Sequence, residues 1–315
     1  MVSLSVSLVI LLAHTQVIFG QDYETHRVPV TQDYTDAFDA AVQEMIVDKS
    51  FIDTYANLMY FNVPACTDPV VKYPAKDPFV GRKNLIMCLE IGAVYPFLDV
   101  KLLVGNTLVK KINAKYGTNY QAQFKYLNTS KLGFFTTVKN AVDSGECDVI
   151  TTNVQTLEDR KKQVHFQCHW GTTSQAFLRS ELDSSLNLKT LADLNKTNII
   201  VGAYAGTTYE AVVKNNLQAA QYVPFTTADI QYQKVLKKEV HAVIGDAVTF
   251  LVWVNANKAN CSTCSVNFYG QPYGFSTFTT NNITSLGIPM MSQVSFVGNF
   301  IAVVFFLVFM MLIKM

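Results

Sequence analysis

From Asn84 onward, short apolar runs alternate with amphipathic stretches. The runs predict strands over Leu85–Ile91, Gln121–Tyr126, Cys147–Thr152, Asn198–Ala203 and His241–Gly245, because each is short and bounded by turn residues. Between them a 3.6-residue period predicts helices over Leu102–Tyr116, Thr136–Asp143, Tyr209–Asn216 and Ile230–Lys238, with a short helical turn at Leu188–Leu194. Gly117 and Gly145 stand just past two of these segments, where a residue free to turn left-handed ends a helix. Strand–helix alternation is the mark of an α/β fold with parallel strands and crossover helices. Two such series, one from Asn84 and one from Leu188, are the content of two lobes with a ligand at the carboxyl ends of their strands.

Ahead of this region Phe38, Ala41, Val42, Met45 and Ile46 form one apolar helical stripe, and a second helical segment covers Phe51–Phe61. Asn62–Arg82, rich in Pro and Lys, predicts a connector. The two ends are apolar. Met1–Gly20 carries an uncharged run at Leu8–Ala13 and a small residue before Gln21, which reads as a secretory signal cleaved near Gly20. Val294–Ile313 is uncharged and long enough to span a bilayer, followed by Lys314 and Met315. It suits either a transmembrane anchor or a GPI signal with attachment at Asn281, Asn282 or Ser285. Both place the body at the cell surface.

Four glycosylation sequons, at Asn128, Asn195, Asn260 and Asn282, fit the secretory route. Six cysteines are an even set, which in an oxidising compartment predicts bridges. Cys261 and Cys264 are expected to pair locally; Cys66, Cys88, Cys147 and Cys168 admit three pairings. His165, Cys168 and His169 lie close together but have no fourth ligand nearby, so a bridged Cys beside surface His is the reading, with no metal. A net charge of +1 without a basic run lacks the electrostatic footprint of a nucleic-acid binder.

The motifs come next. Gly145-Glu146-Cys147-Asp148-Val149-Ile150 is followed by Asp159-Arg160-Lys161-Lys162-Gln163-Val164-His165-Phe166. Then come Leu191-Ala192-Asp193-Leu194, Val201-Gly202-Ala203-Tyr204-Ala205-Gly206-Thr207-Thr208, Val240-His241-Ala242-Val243-Ile244-Gly245-Asp246 and Tyr273-Gly274-Phe275-Ser276. In this order, from Asn84 to Thr280, they resemble the type 2 periplasmic binding proteins of the polar amino acid group. The lobes of that family also form the ligand-binding cores of ionotropic glutamate receptors.

The resemblance implies an α/β, two-lobed clamp with mixed, mainly parallel sheets. Arg160 falls on the family's carboxylate-binding arginine, whose planar fork donates two parallel bonds. Gly206, Thr207 and Thr208 fall on a turn opening a helix, where free N–H groups receive the same carboxylate. Asp246 falls on the ammonium acceptor. Phe135 matches an aromatic that packs on the ligand's aliphatic part. Asn153 and Gln155 stand where the family often has small or hydroxyl residues, and Val94 stands where many members have a stacking aromatic, with Tyr95 beside it as a substitute.

The family ends with two helices that return to the first lobe, and here Ala37–Ile46 and Phe51–Phe61 resemble them from the front of the chain. A circular permutation accounts for this, since domain termini commonly lie close together. A swapped helix pair docked on a neighbouring molecule, or an unrelated extension, are the alternatives. The layout is then 1–20 signal, 21–175 first lobe including helices 36–61, 176–270 second lobe, 271–280 return strand, 281–293 stalk and 294–315 tail. The expected function is capture of an amino acid or related carboxylate, without cofactor or catalysis, with a transporter or receptor as partner. A dehydratase-type enzyme, with Glu90 as its acid, and a sensing subunit acting through other chains are the competing readings.

Overall fold

The computed structural model describes residues 30–59 and 61–283; the expected signal and tail, at 1–20 and 294–315, lie outside the described residues. Helices α1 (Gln32–Met45) and α2 (Lys49–Met59) come first. The first strand–helix series follows as β1 (Asn84–Glu90), α3 (Phe97–Tyr116), β2 (Gln121–Leu127), α4 (Phe134–Asp143), β3 (Val149–Gln155), α5 (Glu158–Lys161) and β4 (Val164–Arg179). After a 3-10 turn at Leu191–Leu194 come β5 (Ile200–Tyr204), α6 (Thr208–Asn216), β6 (Gln221–Phe225), α7 (Ile230–Leu236), β7 (Ala242–Asp246), α8 (Ala247–Ala256) and β8 (Ser265–Thr280).

The strands hydrogen-bond in the order β2-β1-β3-β8-β4-β7-β5-β6. Outer pairs β1/β2, β1/β3, β5/β6 and β5/β7 are parallel. β4 and β8, at 16 residues each, run antiparallel through both halves. Their ladder shifts register between Phe166 and His169, between His169 and Gly171, and between Ser174 and Ala176. Such bulges bend and twist a strand pair, and here they lie where the two halves of the sheet meet. One lobe is therefore built on β1–β3 and the other on β5–β7, with the β4–β8 pair common to both.

Among the elements that differ from the sequence expectation are β6, β4, α8 and α3; β6 (Gln221–Phe225) is short and holds Pro224, so no apolar run marks it. β4 is hidden because Gly171-Thr172-Thr173-Ser174 interrupts its apolar pattern. α8, Ala-Val-Thr-Phe-Leu-Val-Trp-Val-Asn-Ala, is apolar almost throughout and rich in β-branched residues, so neither period nor propensity marks it as a helix, and packing decides. α3 starts at Phe97 rather than Leu102, with Pro96 at its N-cap.

The N-terminal helices pack on their own chain. Tyr34, Phe38, Val42, Met45, Phe51 and Tyr55 share one core with Leu85, Met87, Val104, Leu108 and Trp170. Polar contacts fix the docking. The Tyr34 hydroxyl donates to Asp148 Oδ1 at 2.8 Å, Arg82 pairs with the same carboxylate, and the Ile86 amide donates to Asp148 Oδ2 at 2.6 Å. The aspartate of the Gly145–Ile150 motif is thus a structural hub. His165 Nε2 meets Asp39 Oδ2 at 2.8 Å, joining β4 to α1.

Disulfides join Cys66–Cys168, Cys88–Cys147 and Cys261–Cys264. The first anchors the connector to β4, the second ties β1 to the loop before β3. Cys168 is thus the partner of Cys66 in a bridge. His165 is engaged by Asp39 and His169 Nε2 by the Thr156 hydroxyl at 2.7 Å.

Candidate functional site

Strand ends deliver the site. β1 ends on Glu90 and β3 on Asn153 to Gln155; α5 carries Arg160. From the opposite lobe come Thr207, Thr208 and Tyr209 at the start of α6, Gln231 and Tyr232 on α7, and Asp246 at the end of β7. With Val94, Phe97, Lys101, Phe134 and Tyr204, these residues line one cavity between the lobes.

The lobes are closed over it. The Phe134 amide donates to Ala205 O at 3.2 Å and the Phe135 amide to Gly206 O at 3.4 Å. Asn153 Nδ2 donates to Asp246 Oδ2 at 3.2 Å, and the Thr208 hydroxyl donates to Gln155 Oε1 at 2.9 Å. The hydroxyls of Thr129 and Tyr204 meet across the same boundary. Gly206, with φ +74°, lies so near the other lobe that a Cβ there would stand 2.5 Å from Phe134 N and 2.7 Å from Gly133 Cα.

Arg160 is 8% exposed. Its Nη1 donates to Gln155 O at 3.2 Å, and its guanidinium carbon lies 4.4 Å from the Phe135 ring centre, a cation–π arrangement. Among the described residues no carboxylate forms an ion pair with it. Burial pulls its pKa down to about 10, because a charge withdrawn from water without a counter-charge is unfavourable.

Asp246 is 7% exposed. Its Oδ1 accepts the Tyr209 hydroxyl at 2.5 Å and the Tyr273 hydroxyl. Burial pushes its pKa up, and the two phenols pull it partly back. Glu90 and Lys101 form a buried ion pair, and the Thr152 hydroxyl donates to the second Glu90 oxygen.

Of the residues singled out in the sequence, Arg160, Asn153, Gln155, Thr207, Thr208 and Asp246 line one space. Two stand elsewhere. The Gly206 amide donates to Glu210 Oε2 at 2.8 Å, so its place is at the lobe contact, not in the cavity. Phe135 lies over Arg160, and its neighbour Phe134 supplies the aromatic wall. Val94 lines the cavity, whereas Tyr95 is 61% exposed and does not substitute for a stacking residue. Lys101, Tyr209, Gln231 and Tyr232 were not legible in advance. They lie on helices, where a polar or aromatic residue reads as ordinary surface or core; Tyr204 and Tyr273 stood inside quoted motifs but were not singled out. Asn128, Asn195, Asn260 and Asn282 are all exposed.

The architecture has solved counterparts. The ancestral amino acid-binding protein AncCDT-1, a precursor of cyclohexadienyl dehydratase, superposes with TM-score 0.53 at 18% identity, over 66% of this chain and 85% of that one. Holo ArgBP from T. maritima gives 0.51 at 18%, over 66% and 87%. An ancestral arginine-binding protein bound to glutamine gives 0.50 at 25%, over 64% and 85%. The chain has the type 2 periplasmic binding protein fold. No protein-family model and no curated sequence matches it. Within this type 2 clamp, the cavity occupies the place the fold reserves for a ligand, at the carboxyl ends of strands from both lobes.

Proposed function

We propose that this chain is an extracellular solute-binding clamp, anchored at the cell surface by its C-terminal segment, that captures a small zwitterion, an amino acid, between its lobes. The observation that carries the reading is Arg160, a buried guanidinium lining the closed cavity without a carboxylate partner among the described residues. Charges taken out of water are stable only when paired. A ligand carboxylate supplies the missing pair bidentately, assisted by the N–H groups of the first turn of α6, which lack intrahelical acceptors. Asp246 then receives the ammonium, and hinge closure along β4 and β8 excludes water. Solved proteins of this shape, named as amino acid- and arginine-binding, support the assignment.

Both oxygens of Glu90 are engaged by Lys101 and Thr152, which favours binding over acid catalysis. The docking of α1 and α2 on the first lobe supports a circular permutation in which these helices replace the family's closing pair. Exposed sequons and three bridged cysteine pairs accord with a surface protein that hands its ligand to a transporter or reports it through a receptor. Among the described residues no helix is long and apolar enough to cross a membrane; the anchor is read from the sequence of 294–313.

Thermal unfolding of the full-length protein in detergent, against a panel of amino acids and carboxylates, is the test. A ligand at a hundredfold its Kd stabilises by about 2.7 kcal/mol, and Arg160→Ala abolishes that shift. A folded, ligand-free protein that responds to none of these compounds refutes the reading.

A further inference from the structure

The closed cavity contains four ionisable side chains of fixed sign: Arg160 and Lys101, Glu90 and Asp246. Two of them neutralise each other. Lys101 Nζ pairs with Glu90 Oε1 with side chains 1% and 5% exposed, and the Thr152 hydroxyl takes Glu90 Oε2. That leaves Arg160 and Asp246. The zwitterionic head of an amino acid matches both and leaves the enclosed charge at zero.

The rest of the wall is uncharged. Val94, Phe97, Phe134 and Tyr232 face the cavity together with the amide of Gln231. The carboxylates of the adjoining helices, Glu210 and Asp229, do not line the cavity; Glu210 meets the Gly206 amide, the Tyr222 hydroxyl and Lys214, and Asp229 meets Thr227 and Gln233. A cationic ligand side chain would find no free carboxylate, only one already held by Lys101. An anionic one would find no free cation. Either adds a net charge without a partner to the lining of the cavity.

We infer that the clamp selects an amino acid with an uncharged side chain and rejects arginine, lysine and glutamate, the Glu90–Lys101 pair being the element that removes the cation site. The inference rests on the amino-acid reading of the cavity and narrows it.

Isothermal titration of the full-length protein in detergent with glycine, alanine, serine, glutamine, arginine, lysine and glutamate tests it. The expected result is binding of at least one uncharged member, with the charged three about a hundredfold weaker or absent, the cost of an unpaired buried charge. Arginine, lysine or glutamate binding within tenfold of the best uncharged ligand overturns the inference while leaving an amino-acid binder in place. Failure of every amino acid overturns the functional reading itself. Lys101→Met, which frees Glu90, is expected to gain at least tenfold affinity for lysine; unchanged selectivity in a folded variant overturns the role given to the pair. The panel on the unaltered protein decides the charge class even where that variant does not fold.

Discussion

Replacing Arg160 by methionine sets stability against binding. In the ligand-free protein burial pulls this guanidinium down to about 10, so its charged form is worse off by about 3 kcal/mol than in water. The contact with the Phe135 ring returns about 1 kcal/mol. Methionine has a similar length, keeps a favourable sulfur contact with the ring and carries no charge, so the variant should gain about 2 kcal/mol when no ligand is present. For a domain of this size that is about 4–8 °C in Tm. Differential scanning calorimetry of ligand-stripped protein, with and without saturating ligand, reads both effects. The unliganded Tm rises, and the shift produced by ligand disappears. The opposed changes are the signature of a residue kept for function at a cost in stability. A ligand-free variant that melts several degrees lower would show that the fold itself satisfies Arg160 and would defeat the argument.

Four further outcomes are expected. Gly206→Ala places a Cβ 2.5 Å from Phe134 N on the opposite lobe, so ligand affinity should fall by about tenfold or more; small-angle scattering that still shows compaction on ligand addition would contradict it. Phe38→Ala, at a fully buried site on α1, should cost about 3–5 kcal/mol in urea unfolding; a cost below about 1 kcal/mol would mean the helix pair is an appendage. Cys66→Ser opens a bridge spanning 102 residues, with a loss of up to about 4.7 kcal/mol and new protease sensitivity in the connector; an unchanged digestion pattern would count against its anchoring role. Burial raises the folded-state pKa of Tyr55, Tyr204 and Tyr232, and of Tyr116 to about 12. Their contribution is full below the unfolded value near 10 and is lost as pH rises through the folded values. Urea midpoints should therefore decline above pH 10, and a flat profile to pH 11.5 would refute the assignment.

Strands β1, β2, β3, β5 and β7 were legible as short runs bounded by turn residues, and the crossover helices because burial on one face prints a period into the sequence; β6, a five-residue strand with Pro224 in it, was not. Gly117 is left-handed at the end of α3, as its position after Tyr116 suggested. β4 and α8 were not legible, because both are buried on more than one side and carry no alternation that could separate strand from helix. The site shows the same division. Arg160 and Asp246 were found through motifs, since their spacing survives where overall similarity does not. Lys101 escaped because a lysine in the first turns of a helix ordinarily faces water, and only the Glu90 carboxylate folded against it explains its burial. Phe134 was missed for its neighbour because rotation of α4 by one residue, about 100°, decides which ring meets the cavity.

The strand order has a consequence for synthesis. β8 is inserted between β3 and β4, both of which leave the ribosome long before it. Until residues up to Thr280 emerge, β3 and β4 each carry an edge without its partner. Translation at a typical pace makes that wait roughly 5–20 s, during which neither lobe can close its sheet and the β4–β8 hinge does not exist. The final described strand is thus a keystone in time as well as in space. Truncations that stop short of β8 should yield chains dependent on chaperones rather than a smaller functional clamp, however complete their individual strand–helix units are.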